Sequence, residues 1–233
     1  MKRKEIKEAF LATLPVLTGY LVLGIGFGII MDSEGFALPV SAAMGAFIYA
    51  GSMQYMAIGL MTSGASFVTV ALTTLMVNAR HLFYGISMID KYKGTGAVKP
   101  YLIFSLTDET YSLVCSDMEG KTDAERKRYY LLVSVLDHCY WIAGCVLGAL
   151  LGSLISFDTA GIDFALTALF ITVFTDQWLK SRDHLPALTG LAASVLCLLI
   201  FGADSFLIPS MILITVLLAV MKKLPREVKT DEG

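Results

Sequence analysis

Long apolar stretches separated by short polar ones dominate this chain, and they set its architecture. Residues 10–31 form the first apolar run; as a helix its 22 or so residues extend about 33 Å, enough to cross a bilayer core of about 30 Å. Seven more membrane segments follow, at residues 36–61, 65–89, 101–116, 129–155, 162–178, 187–201 and 206–220. The fourth is short and polar, and the last three are shortish, as in a compact bundle or one with interrupted helices. The pattern predicts an all-α fold: a polytopic membrane helical bundle of about eight segments, some re-entrant or broken. The 233 residues are read as a single integral membrane domain with a cytoplasmic arm at 1–9 and a cytoplasmic tail at 222–233. The basic stretch before the first run, Met1-Lys2-Arg3-Lys4, precedes an apolar region too long for a signal peptide, so that run is read as retained.

Composition strengthens this picture. Hydrophobic residues make up 56% of the chain and charged residues only 16%, whereas soluble domains carry about 45–50% and about 25%. Mean hydropathy is +0.69. The net charge of −2 says little; where the positive charges lie says more. Lys2, Arg3, Lys4 and Lys7 precede segment one, and Lys121, Arg126, Lys127 and Arg128 precede segment five. Lys180 and Arg182 follow segment six, and Lys222, Lys223, Arg226 and Lys229 follow segment eight. By the positive-inside rule both termini lie in the cytoplasm. One loop disagrees: residues 90–99, with Lys91, Lys93 and Lys99, would face outward. The conflict vanishes if segment four is re-entrant and one of segments two and three is as well, since irregular backbone is tolerated at membrane depth where it lines a cavity.

Within this apolar chain the polar string Asn78-Ala79-Arg80-His81 stands out. A guanidinium at bilayer depth costs several kcal/mol, so such a group lines a cavity, pairs with an anion or handles cargo. Arg80 offers a two-pronged grip on a carboxylate, with Asn78 and His81 as further donors. The alternative is an Arg80 that snorkels or pairs with an internal acid to lock two helices. Asp108 and Glu109 in segment four can accept an ammonium or neutralise Arg80; otherwise both are solvated at a surface. Gln54, after Gly51-Ser52, reads either as a cargo contact or as glue between helices. Asp137-His138 in segment five is a candidate proton relay, together with Glu109; the alternative is a neutral polar pair between helices. Asp176 reads as a solvated helix end beside Lys180.

Small residues mark close packing. Gly144, Gly148 and Gly152 share one face of segment five, and Gly24, Gly26 and Gly28 fit bending or close approach in segment one. Pro15, Pro39 and Pro209 are expected at kinks or helix starts. The four cysteines, Cys115, Cys139, Cys145 and Cys197, form no C-x-x-C pair, which argues against a disulfide framework or a zinc site; no metal or other cofactor is implied. A faint echo links the stretch from Phe104 to Tyr111 with that from Thr172 to Trp178, each placing Thr-Asp-(Glu/Gln) after an apolar run, as in transporters built from repeats; chance accounts for it equally well.

Three strings occur in order: Ala50-Gly51-Ser52-Met53-Gln54, then Asn78-Ala79-Arg80-His81-Leu82-Phe83-Tyr84-Gly85, then Thr107-Asp108-Glu109. In this the chain resembles the AzlC family, the large subunits of two-component branched-chain amino-acid exporters of bacteria. The resemblance implies export of leucine, isoleucine, valine or a similar amino acid across the cytoplasmic membrane, driven by protons, with a small AzlD-like membrane partner. It brings no role for Asp137-His138, which matches no motif of the family. A channel, or a scaffold subunit whose partner holds the cargo site, fits the composition too. An enzyme is not expected: Ser52 with His81 or His138 is only a nominal protease pair, without the Gly-x-Ser-x-Gly turn, and there is no H-E-x-x-H site or P-loop. No feature points to nucleic acid.

Overall fold

In a computed structural model the chain is described at residues 3–115, 120–154, 183–202 and 206–223, and at a few positions between 171 and 181. Every regular element among the described residues is helical. Two compact units divide the chain, Met1–Thr167 and Ala168–Gly233.

Two long helices form the spine of the first unit. Helix α1 is Arg3–Ser33 and carries Pro15 in its interior. The other long helix, Asp123–Leu154, starts at a reciprocal cap. There the Thr122 backbone N–H donates to Glu125 Oε2 (3.0 Å), while the Glu125 N–H donates to Thr122 Oγ1 (3.3 Å). These two are the described helices long and apolar enough to cross a membrane. They lie side by side through their glycines. A methyl group on Gly24 would sit 2.8 Å from the Gly144 Cα, and one on Gly148 would sit 2.1 Å from the Ile25 carbonyl oxygen. Contacts step up both helices together, from Thr13 with Tyr140 (3.2 Å) through Tyr20 with Trp141 to Gly152 beside Asp32. The helices are therefore parallel. Their N-terminal ends meet through Arg128 Nη2 on Glu5 Oε1 (2.9 Å) and Lys121 on Glu8.

The three apolar runs between these helices, among which the sequence pattern expected re-entrant or broken segments, are each interrupted. Segment two is α2 (Leu38–Phe47) and α3 (Gly51–Thr62). Pro39 starts α2, in the first turn where a proline costs no hydrogen bond. Between them Tyr49 takes φ +46°, a left-handed conformation rare for a bulky residue. The two halves reverse direction. α2 runs down to Ala46, whose carbonyl lies 3.2 Å from His138 Nε2. α3 climbs back past Trp141, which a methyl on Gly51 would touch, to Tyr55, whose hydroxyl donates to the Leu23 carbonyl (2.6 Å).

Segment three is α4 (Phe67–Val77) and α5 (Ala79–Met88), divided at the single residue Asn78. Ser66 caps α4 by accepting from the Thr69 N–H (3.1 Å). The pair continues in one direction, from Arg80 beside Ser52 to Met88 in a core with Ala9, Tyr92 and Tyr130.

Segment four is α6 (Lys99–Phe104) and α7 (Asp108–Val114), again reversing. Tyr101 and Phe104 rise to His138 and Tyr49; Thr107 meets Tyr20, Thr110 meets Asp137, and Val114 returns to the core around Ala9. The long helix from Asp123 is α8. The three-lysine loop lies near the first turns of α8: Tyr92 packs edge-on against Tyr130, and Lys91 donates to the Cys115 carbonyl.

In the second unit α9 (Leu185–Phe201) and α10 (Leu207–Lys223) form an antiparallel hairpin, with Thr189 donating to Met221 Sδ (3.5 Å). Each is 17 residues, or about 25 Å long. Gly202 ends α9 at φ +74° and ψ 171°, a positive-φ extended conformation that suits glycine. Most of segment six, Asp176 and the second half of the Thr-Asp echo lie outside the described residues.

Candidate functional site

The helix breaks bring the starts of α3, α5 and α7 together, and Arg80 ties them. Its Nη1 lies 2.7 Å from Asp108 Oδ2, and its Nη2 donates to Ser52 Oγ at 3.1 Å. Arg80 is the second residue of α5, Ser52 the second of α3 and Asp108 the first of α7. A helix start carries unpaired N–H groups and a partial positive charge, so Asp108 sits where a carboxylate is favoured. Thr107 caps α7, accepting from the Thr110 N–H at 3.3 Å.

Both members of the ion pair keep a buried atom in reserve. Arg80 Nε and Asp108 Oδ1 are shielded from solvent and have no hydrogen-bond partner within 3.5 Å, and the Tyr84 hydroxyl is a further donor near the Asp108 carboxylate. One is a donor and the other an acceptor, the two kinds of group that a carboxylate and an ammonium respectively would take up. His81 and Tyr84, on the same helix, are within electrostatic reach of both Arg80 and Asp108.

The other predicted residues fall around this centre in different ways. Asn78 supplies the break itself, and its carbonyl lies 3.2 Å from His81 Nδ1. Gln54 is fully buried and turned toward α8, where its Oε1 accepts from Trp141 Nε1 (2.9 Å) and from the Ala50 N–H (3.3 Å). It steadies the tip between α2 and α3; its neighbour Ser52 is the one that reaches Arg80. Glu109, next to Asp108, accepts from the Tyr20 hydroxyl at 2.8 Å.

Asp137 and His138 are adjacent in sequence but serve different neighbours. Asp137 is 0% exposed, and its Oδ2 accepts from Thr110 Oγ1 at 2.8 Å. His138 packs on the Tyr49 ring with centroids 4.3 Å apart, its Nδ1 3.2 Å from the Tyr101 hydroxyl. Neighbouring helix positions point about 100° apart, so the pair divides between two sets of contacts.

Ser52 joins the Arg80–Asp108 pair, and Tyr20, Thr107 and Thr110 lie outside it, toward Glu109 and Asp137; none was singled out as a binding or proton-handling residue. Thr107 had a local signal: threonine ahead of two acids is a helix-start signature inside an apolar run. Tyr20 had none. It is one polar tip on an apolar helix, and only the tertiary fold sets it against Thr107 and Glu109. Among the described residues no cluster of His, Cys, Asp and Glu could hold a metal ion.

Comparison with known proteins identifies the family. The AzlC protein family matches residues 15–155. The branched-chain amino acid transport protein AzlC of Bacillus subtilis is 43% identical over 226 residues, covering 95% of this chain and 89% of that one. A membrane protein of Helicobacter pylori is 39% identical, covering 94% and 96%. The inner membrane protein YgaZ of Escherichia coli is 25% identical, covering 86% and 82%. No solved structure matches the chain. The chain belongs to the AzlC family, and it is a membrane protein.

Proposed function

We propose that this AzlC-family chain exports branched-chain or similar apolar amino acids across the bacterial cytoplasmic membrane by secondary, proton-coupled antiport. A small hydrophobic AzlD-like membrane subunit is its partner. The Bacillus subtilis relative's name, branched-chain amino acid transport protein AzlC, supports the cargo class. The observation that carries the reading is the open pair of atoms, Arg80 Nε and Asp108 Oδ1, at the meeting point of three half-helices. An apolar amino acid has a zwitterionic head and a greasy tail. The head fits the open donor and acceptor, and the surrounding membrane helices are apolar.

The same reading gives the membrane arrangement. Eight segments with both termini in the cytoplasm include two that enter and leave on one side, α2–α3 and α6–α7, while α4–α5 crosses. This places the three-lysine loop with the other basic segments, and it suits the parallel course of α1 and α8. Exposed apolar side chains such as Phe67, at 95%, then face lipid or the partner subunit.

Cells lacking the protein, fed a leucine- or isoleucine-containing dipeptide, accumulate the free amino acid, and the intact gene pair restores efflux. Equal intracellular levels with and without the protein overturn the cargo assignment.

One observation favours a second reading. The 2.7 Å ion pair fits a lock that joins α5 to α7 and leaves the cargo site to the partner subunit. Exchanging the two charges separates the readings, as argued in the Discussion.

A further inference from the structure

A line of oxygen atoms runs from the cargo centre into the core of the first unit. Glu109 Oε2 lies 2.8 Å from the Tyr20 hydroxyl. Tyr20 lies 2.7 Å from Thr107 Oγ1, which lies 3.2 Å from Thr110 Oγ1. Thr110 Oγ1 lies 2.8 Å from Asp137 Oδ2. Two carboxylates terminate the line, and three hydroxyls connect them. Tyr20, Thr107, Thr110 and Asp137 are all buried.

Counting hydrogens gives this line its meaning. Between two ionised carboxylates there are four oxygen–oxygen contacts and three hydroxyl protons to fill them. Tyr20 donates to Glu109, Thr107 to Thr110 and Thr110 to Asp137, so the contact between Tyr20 and Thr107 has no hydrogen. One added proton fills every contact. Placed on Glu109, it makes each group donate toward Asp137; placed on Asp137, it makes each donate toward Glu109.

We propose that Glu109, Tyr20, Thr107, Thr110 and Asp137 form the proton path of this transporter, passing one proton between the cargo centre and a buried store on Asp137. The inference rests on the transport reading above and deepens its proton coupling. In one passage the O–H bond of protonated Glu109 breaks as Tyr20 takes the proton. Tyr20 gives its own proton to Thr107, Thr107 to Thr110, and Thr110 to Asp137 Oδ2. Each hydroxyl loses one proton and gains one, and Asp137 becomes neutral as Glu109 becomes an anion. Glu109 follows Asp108 directly in sequence, so its charge is felt where the ammonium of the cargo would bind. His138 is off the path, since its ring nitrogens face Tyr101 and Ala46.

Other titratable groups face the ends of the path. Asp137 faces Tyr49, Tyr101, Tyr129 and Glu109, and the Tyr49 hydroxyl also lies beside Tyr20 and Thr110 in the middle of the path. Glu109 faces His81, Tyr84 and Tyr49, near the Arg80–Asp108 pair.

The test uses the full chain, co-expressed with its proposed partner and reconstituted into liposomes. Two fluxes of labelled leucine are compared: counterflow against unlabelled leucine without a pH gradient, and uptake driven by an acid lumen. The intact protein carries out both. Thr110→Val keeps the shape and removes the hydroxyl, so it retains counterflow and loses at least tenfold in gradient-driven uptake. Tyr20→Phe does the same, and Thr110→Ser restores driven uptake. Tyr55→Phe removes a buried hydroxyl off the path and keeps both fluxes. Full driven uptake in Thr110→Val and Tyr20→Phe overturns the path. Equal loss of both fluxes in Thr110→Val, with no recovery in Thr110→Ser, also overturns it by making Thr110 structural. Counterflow without any driven uptake in the intact protein removes proton coupling and the path with it. Absence of both fluxes in the intact protein strikes the transport reading itself.

Discussion

Arg80 of α5 and Asp108 of α7 meet at 2.7 Å across two separate helix starts, and each keeps one buried polar atom without a partner. Both features follow from the interruptions in the apolar runs. An unbroken helix through Asn78 would leave no helix start beside Arg80. An unbroken segment four would not put Asp108 in a first turn.

Arg80→Lys keeps the charge and removes the fork. An ammonium cannot hold Asp108 and Ser52 through fixed coplanar donors while leaving a third donor open. Efflux of leucine falls at least tenfold, at unchanged membrane abundance. A flux assay on cells with matched protein levels checks this.

Exchanging the charges, Arg80→Asp together with Asp108→Arg, distinguishes cargo binding from locking. A lock tolerates reversal, and efflux returns toward the intact level in the double variant. A cargo site does not, because the carboxylate and the ammonium of the amino acid would each meet its own sign. The account predicts that both single variants and the double variant are inactive, read in the same efflux assay.

Asp137→Asn leaves an acceptor for the Thr110 hydroxyl but cannot store a proton. Driven export loses its dependence on external pH or stops, while the fold holds. Flux measured across a pH series with matched protein amounts checks it; an unchanged pH profile takes Asp137 out of the coupling.

Gly148→Ala puts a methyl group 2.1 Å from the Ile25 carbonyl oxygen, where backbone must move. Overpacking of this kind costs about 1–3 kcal/mol, so the midpoint of thermal unfolding in detergent drops by several degrees. Gly190→Ala in α9 meets nothing within 4 Å and serves as the comparison.

The sequence pattern carried the helical class, the two long spans and their glycine faces, because composition and three-to-four-residue spacing are local properties. It also marked Arg80, Asp108, Glu109 and Asp137, since charge inside an apolar run is conspicuous. The breaks were harder to locate. Asn78 interrupts its helix with one residue at φ −91° and ψ +3°, too small a change for hydropathy to register. Tyr49 turns left-handed without glycine or proline at that position. The connections through Tyr20 and Thr110 depend on residues 87 and 27 positions away, and only the tertiary fold brings those together. Cargo preference among leucine, isoleucine and valine turns on about 1–3 kcal/mol per methylene, below what residue types alone reveal.

Binding competition tests the central claim most directly. Labelled leucine is displaced from the purified complex by leucine, by leucinamide and by 4-methylvalerate. The first has both charged ends of the head, and the others lack the carboxylate and the ammonium respectively. Hydrogen bonds to charged groups contribute about 1.5–3 kcal/mol, so each half-molecule competes at least tenfold more weakly than leucine. In Arg80→Lys the advantage of leucine over leucinamide disappears. Equal competition by leucine and leucinamide in the intact protein would contradict an Arg80–Asp108 pair that grips the amino-acid head.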